Sequence, residues 1–298
     1  MYSVSLLLPC LCLSQLFISV TSPSQVYYLS RRDKEPALLL DNVTGLRAAT
    51  GDPISGVLYV CANSSIVEYA VDYATLTVIS PGEVVYTGDL PASPVLDVWG
   101  NLYFLDSKRN TVNVHYASKA LNHTITTLYW APPYVSLPSA LVLDDFFDFL
   151  YWSNLDPVGN SSLHMALTDP ISGLGVSQTW AGYRGSGVDG LAVSKDWLYI
   201  SSQGLVYRAN KRNPQEWKEV EIETGNQTRV VATFKEEVYL LDIASTRVYR
   251  LKDHHGKRGK DEEESEWGLW NVLHVAVAPI RNWGERLGLC AAMIIGLS

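Results

Sequence analysis

Large apolar side chains in this sequence come in short runs that stop abruptly. Phe149-Leu150-Tyr151-Trp152 is followed at once by Ser153-Asn154-Leu155-Asp156. No apolar pattern holds a 3.6-residue period over several turns. Instead, runs of four to six residues rich in β-branched and aromatic side chains alternate with turn residues, which predicts strands. The runs recur. Aligned on a tyrosine, VLYVCA around Tyr59, NLYFLD around Tyr103, FLYWSN around Tyr151, WLYISS around Tyr199 and EVYLLD around Tyr239 follow one another at 44, 48, 48 and 40 residues. A partial copy, VYYLSR, surrounds Tyr28. About ten residues before each full copy stands another apolar run, such as Pro94-Val95-Leu96-Asp97-Val98 or Gly190-Leu191-Ala192-Val193. An alternating segment follows each copy, as over residues 111–116, and a more variable one, as over 124–129, closes the unit. Four short strands every 40–48 residues is the period of a propeller blade. The expectation is an all-β chain forming a six-bladed β-propeller over residues 25–281.

The ends predict how the ring closes. The copy around Tyr28 lacks the upstream run, whereas Val272-Leu273-His274-Val275-Ala276-Val277 has that character and no Tyr unit after it. Closure between N- and C-terminal strands is therefore expected, with Val275-Ala276-Val277 innermost beside the strand that holds Tyr27 and Tyr28. Such closure removes the two unpaired edges that an open ring would leave. Residues 253–266 carry a basic and then an acidic block without apolar content, which reads as a mobile charged loop of the last blade.

Composition narrows the setting. The chain has 298 residues, is 47% hydrophobic and has a formal net charge of -8, which argues against a nucleic-acid partner. Residues 4–20 are uncharged and apolar, with small residues after them, so residues 1–24 read as a secretory signal peptide cut between Ser19 and Gln25. Asn-X-Ser/Thr sequons at Asn42, Asn63, Asn122, Asn160 and Asn226 agree with a glycosylated, secreted product. Cys10 and Cys12 would leave with the leader, and Cys61 with Cys290 make no disulfide framework. The tail, residues 282–298, is apolar over its last twelve residues. A membrane-spanning helix needs about twenty, and the polar spacer is too short for a glycolipid-anchor signal.

Leu150-Tyr151-Trp152-Ser153, and Gly190-Leu191-Ala192-Val193 followed by Leu198-Tyr199, resemble the YWTD (class B) repeats of the low-density lipoprotein receptor family. The resemblance covers about residues 25–281 and is degenerate. Tyr151-Trp152 keep the first two letters of the motif, while Asp106 and Asp242 keep the last. It implies the six-bladed propeller of that family. An EGF-like module normally follows the propeller there; no Cys-rich stretch follows here, which departs from a receptor-type architecture.

The sequence holds no phosphate-binding glycine loop, Gly-x-Ser-x-Gly elbow, His-Glu-x-x-His or Cys-x-x-Cys pattern. Asp144, Asp145 and Asp148 fall in the turn between the first two strands of a blade and read as a solvated turn. His254-His255 has no metal-ligand pattern around it, and His115, His123, His164 and His274 stand singly. The enzymatic alternative is a calcium-dependent, lactonase-like or strictosidine-synthase-like propeller hydrolase. Asp97 and Asp189 fall near innermost strands, but calcium takes six to eight oxygens. No cofactor is expected, calcium being the ion that alternative would require.

The leading expectation is a non-enzymatic extracellular binding module that recognises a protein or ligand through its loops. A structural matrix component, as nidogen-like proteins with similar propellers are, is the other alternative. Strand parity puts Asn42, Asn63, Asn160 and Asn226 on one face and Asn122 on the other. The connections Trp130-Ala131-Pro132-Pro133-Tyr134 and Trp180-Ala181-Gly182-Tyr183-Arg184 stay open on the first face. Trp130, Tyr134, Tyr183 and Arg184 are the residue types that dominate binding hot spots.

Overall fold

A computed structural model describes residues 15–21, 24–30, 36–117, 124–130, 132, 134–144, 148–156, 160–168, 178–179, 185–220, 228–234, 237–242, 247–252, 263–265 and 272–277. Every regular element among them is a β-strand, arranged in six antiparallel sheets. The protein is a β-propeller. Blade 1 joins β1 (Gln15–Thr21), β2 (Ser24–Ser30) and β3 (Ala37–Leu40) to β26 (Val272–Val277). Blade 2 holds β4 (Leu46–Asp52), β5 (Val57–Ala62) and β6 (Ser65–Asp72), with β7 (Thr77–Val78) and β8 (Glu83–Thr87) sharing the outer edge of β6. Blade 3 is β9 (Pro91–Leu96), β10 (Leu102–Asp106), β11 (Thr111–His115) and β12 (Ile125–Trp130). Blade 4 is β13 (Leu141–Asp144), β14 (Phe149–Leu155) and β15 (Asn160–Leu167), edged by β16 (Gln178–Thr179) and β17 (Gly185–Ser186). Blade 5 is β18 (Val188–Val193), β19 (Trp197–Ser202), β20 (Leu205–Asn210) and β21 (Asn213–Glu219). Blade 6 is β22 (Thr228–Phe234), β23 (Glu237–Asp242), β24 (Arg247–Lys252) and β25 (Glu263–Ser265).

The recurring Tyr unit is the second strand of its blade, and its unbroken apolar run has a packing cause. A blade lies between two others, so both faces of that strand are covered. In β5, Leu58 and Val60 join Val26, Tyr28 and Leu39 of blade 1, while Tyr59 and Cys61 join Leu96, Leu102 and Phe104 of blade 3. In β19 the same alternation sends Leu198 and Ile200 towards Leu163 of blade 4, and Tyr199 towards Val238 and Leu240 of blade 6. Each such side chain contributes about 1.5–3 kcal/mol by leaving water. The repeat Tyr is therefore a blade-to-blade spacer.

Innermost strands β4, β9, β13, β18 and β22 each touch the next, and β26 touches both β4 and β22. One expectation needs correction here. The partner of β26 is β1, with Phe17 opposite Ala276 and Ile18 opposite Val275; β2, which holds Tyr27 and Tyr28, pairs on the far side of β1. The apolar stretch read as leader thus contains a second strand of its own, which the alignment on Tyr28 had displaced by one position in the sheet.

A second correction concerns Asp144, expected in a solvated turn. Its carboxylate is fully buried and accepts a hydrogen bond from Lys211 Nζ at 2.6 Å, a side chain only 5% exposed. Lys211 leaves the end of β20 and reaches across from blade 5 to blade 4. Burial pulls its ammonium below the ordinary lysine range, and Asp144 partly restores it. Asp148 is exposed in the same turn, and Asp145 lies outside the described residues.

Candidate binding face

Parity sorts the loops into two faces. The connector face carries the blade-to-blade connections and the turns between second and third strands. The opposite face carries the remaining turns.

On the connector face, the last position of the Tyr unit grips the preceding connection in blades 3 and 4. Asp106 accepts the backbone N–H groups of Asp89 and Leu90 at 2.9 and 3.1 Å and the Tyr86 hydroxyl at 2.8 Å. Burial alone would raise its carboxyl, but these donors and the Arg109 N–H outweigh burial and hold it below the usual range. Asn154 fills the same position in blade 4. Its Oδ1 accepts the Ser136 N–H at 3.1 Å, and its Nδ2 donates to the Tyr134 carbonyl at 2.9 Å. The Trp152 indole N–H donates to that carbonyl at 3.1 Å. In blade 2, Asn63 does the work one residue later, its Nδ2 donating to the Thr44 carbonyl at 3.0 Å.

The connection from blade 3 to blade 4 is consequently fixed from below. Trp152 is itself stacked between Tyr129, at 5.3 Å, and His164, at 5.7 Å. Above this platform Trp130 is 51% exposed, Tyr134 40% and Leu137 47%. Trp130 pairs with Thr111 at the end of β12, and the Leu137 N–H donates to Asn110 Oδ1 at 2.6 Å, so both border the turn ahead of β11. Leu137 has φ 43°, a left-handed conformation that costs a non-glycine residue about 1–3 kcal/mol and collects at functional sites. Sequence reading missed Leu137, because backbone conformation leaves no trace in an apolar residue before Pro138.

Of the other expected binding residues, Tyr183 and Arg184 lie outside the described residues. The strand just after them does not: Asn160 pairs with Ser186 across β15 and β17. A glycan on exposed Asn160 would stand beside that connection. Asn42 and Asn63 are also exposed on the connector face, where Asn63 Nδ2 donates to the Thr44 carbonyl. Asn122 and Asn226 lie outside the described residues. Nearer the axis, Arg47 sits on a bulge of innermost strand β4 between Leu46 and Ala48, and its buried Nε makes no hydrogen bond.

The carboxylates considered for calcium do not converge. Asp97, at the opposite-face end of β9, is consumed by its own turn, accepting the N–H groups of Trp99 and Asn101 at 2.8 Å each and the Asn101 amide at 2.8 Å. Burial raises its carboxyl, and these donors offset only part of the rise. Asp189 lies at the other end of innermost strand β18 and accepts the Ser201 hydroxyl at 2.6 Å. The two stand on opposite faces of the disc. Among the described residues no group of three His, Cys, Asp or Glu side chains could hold a metal ion, and no helix is long and apolar enough to cross a membrane.

No family model and no curated protein matches the chain. Solved structures do. The β-propeller of a nidogen/laminin complex superposes with a TM-score of 0.67 at 16% identity, over 89% of this chain and 98% of that one. Virginiamycin B lyase from Staphylococcus aureus superposes at 0.54 and 14% identity, over 89% and 83%. TolB from Acinetobacter baumannii superposes at 0.59 and 11% identity, over 89% and 66%. At these identities the likeness is one of fold, and the fold that the geometry and the comparisons share is the β-propeller.

Proposed function

We propose that this chain is a secreted, glycosylated, non-enzymatic binding module that recognises an extracellular protein through its connector face. The observation that carries the reading is the clamp on the Tyr134 carbonyl by Trp152 and Asn154. It fixes a connection bearing three exposed apolar side chains, so little ordering entropy is lost on docking. Trp130, Tyr134 and Leu137 form the anchor, and Tyr183 and Arg184, which lie outside the described residues, belong to the proposed contact set by their place in the sequence. Glycans at Asn42 and Asn63 would cover blade 2 and its approach from blade 1, and one at Asn160 would cover part of blade 4, leaving the connection between blades 3 and 4 open. A propeller of the same shape has been solved in a complex of nidogen with laminin, which favours a protein partner and keeps a matrix setting in view.

The enzymatic alternative draws on virginiamycin B lyase, whose propeller is similar in fold. Against it stand the two carboxylates on opposite faces, each already hydrogen-bonded within the protein.

The test is capture of partners from extracellular fluid and from solubilised matrix by the immobilised protein. Trp130→Ala and Tyr134→Ala, each folded by circular dichroism, should weaken the captured interaction by more than about 1 kcal/mol, roughly fivefold. Trp99→Ala on the opposite face should leave it unchanged. The reverse pattern would move the site to the opposite face.

A further inference from the structure

We infer that Gln15–Thr21 is a permanent strand of the folded protein and that the ring closes through it, so that any leader removed from this chain is cut ahead of Gln15. The apolar stretch of residues 4–20 would then serve two ends, its first part as leader and its last part as the second strand of blade 1.

Backbone pairing supports this. β1 pairs along its whole length with β2, from Gln15 opposite Ser30 to Thr21 opposite Ser24. Its other edge pairs with β26, from Leu16 opposite Val277 to Val20 opposite Val272. In the sheet order β26-β1-β2-β3, β26 has no other hydrogen-bonded neighbour among the described strands. Without β1, the C-terminal strand would lose its partner and β2 would expose an edge in the middle of a blade. Unpaired backbone groups there would be costly, and an open edge invites association.

The repeat pattern supports it independently. Leu16-Phe17-Ile18-Ser19 matches Leu198-Tyr199-Ile200-Ser201, and Phe17 precedes Tyr59 by 42 residues, inside the spacing of the other copies. The register agrees as well. Phe17 stands opposite Ala276 of Val275-Ala276-Val277, just as Tyr199 stands opposite Ala192 of Leu191-Ala192-Val193. Phe17 therefore holds the repeat Tyr position of blade 1. Upstream, Cys12-Leu13-Ser14 puts small residues three and one before the Ser14–Gln15 bond, the pattern a leader-cleaving peptidase requires.

The experiment is N-terminal sequencing of the full chain expressed in a eukaryotic host and purified as a monodisperse, cooperatively melting protein. A first residue at or before Gln15 is expected. A first residue between Ser22 and Gln25 in such a protein would overturn the inference. A second measurement uses two chains behind one foreign leader, starting at Gln15 and at Gln25. The shorter should lose its cooperative melt and regain it when a synthetic peptide of residues 15–21 is added. Equal melting of the two chains refutes the inference. Neither result depends on which face binds a partner.

Discussion

The Trp152 indole N–H and the Tyr134 carbonyl lie 3.1 Å apart, so a fully buried ring of blade 4 sets the position of an exposed one on the connection before it. Asn154 shares that carbonyl and also holds the Ser136 N–H. Asn154→Leu removes both bonds, takes the acceptor from the part-buried Ser136 N–H and leaves the Tyr134 carbonyl to Trp152 alone. The expected cost is about 1–3 kcal/mol in urea unfolding. Partner binding should also weaken although no contact residue has changed, whereas a purely stabilising role would leave affinity in the folded fraction as it was.

The Lys211–Asp144 pair should behave as a buried ion pair. Lys211→Met removes the buried ammonium that bonds the Asp144 carboxylate between blades 4 and 5 and should destabilise by about 3–5 kcal/mol. Changing Asp144→Leu in the same chain should recover most of that loss, because removing both charges also removes their desolvation. Urea midpoints of the two single variants and the double variant decide it. Additive losses would mean that the pair is not coupled.

His164 gives a pH dependence with a definite sign. Burial against Trp152 lowers its folded pKa. The unfolded chain then binds the proton more readily, so stability rises with pH across that interval. The stability is whole above the unfolded value of about 6.5 and drains away as pH falls towards the folded value. Melting temperature should therefore drop on acidification below about pH 6.5, and His164→Phe should flatten the first part of that fall. An unchanged slope in the variant would assign the effect to other groups.

Gly45 has φ 70°, and a Cβ there would collide with the side chain of Asn63. The left-handed conformation costs an L-residue about 1–2 kcal/mol before any collision. Gly45→Ala should thus destabilise by at least that much and break the Asn63–Thr44 bond. Loss of glycan occupancy at Asn63, read by mass spectrometry of the variant, would show that this turn also presents the sequon.

The architecture was legible in the sequence because blades cover both faces of their second strands. That burial writes a continuous apolar run at a fixed period, and the period names the propeller. The last letter of the unit was also visible, as Asp106 and Asp242, without what it binds. The partners of Asp106, Asp89 and Leu90, are brought alongside by the pairing of β9 with β10, which sets Pro91 opposite Asp106. Asp144 is the same case at longer range. Its turn reads as solvated until Lys211, 67 residues away, closes over it. For the first blade, hydrophobicity carried two meanings at once. Leu16-Phe17-Ile18-Ser19 satisfies both a leader and a strand, since each asks only for uncharged apolar side chains, and pairing with β26 is what assigned it to the sheet. Sequence alone thus determined the unit and its count of strands. The tertiary structure decided which residues meet between units, because hydrogen-bond partners across blades have no fixed separation along the chain.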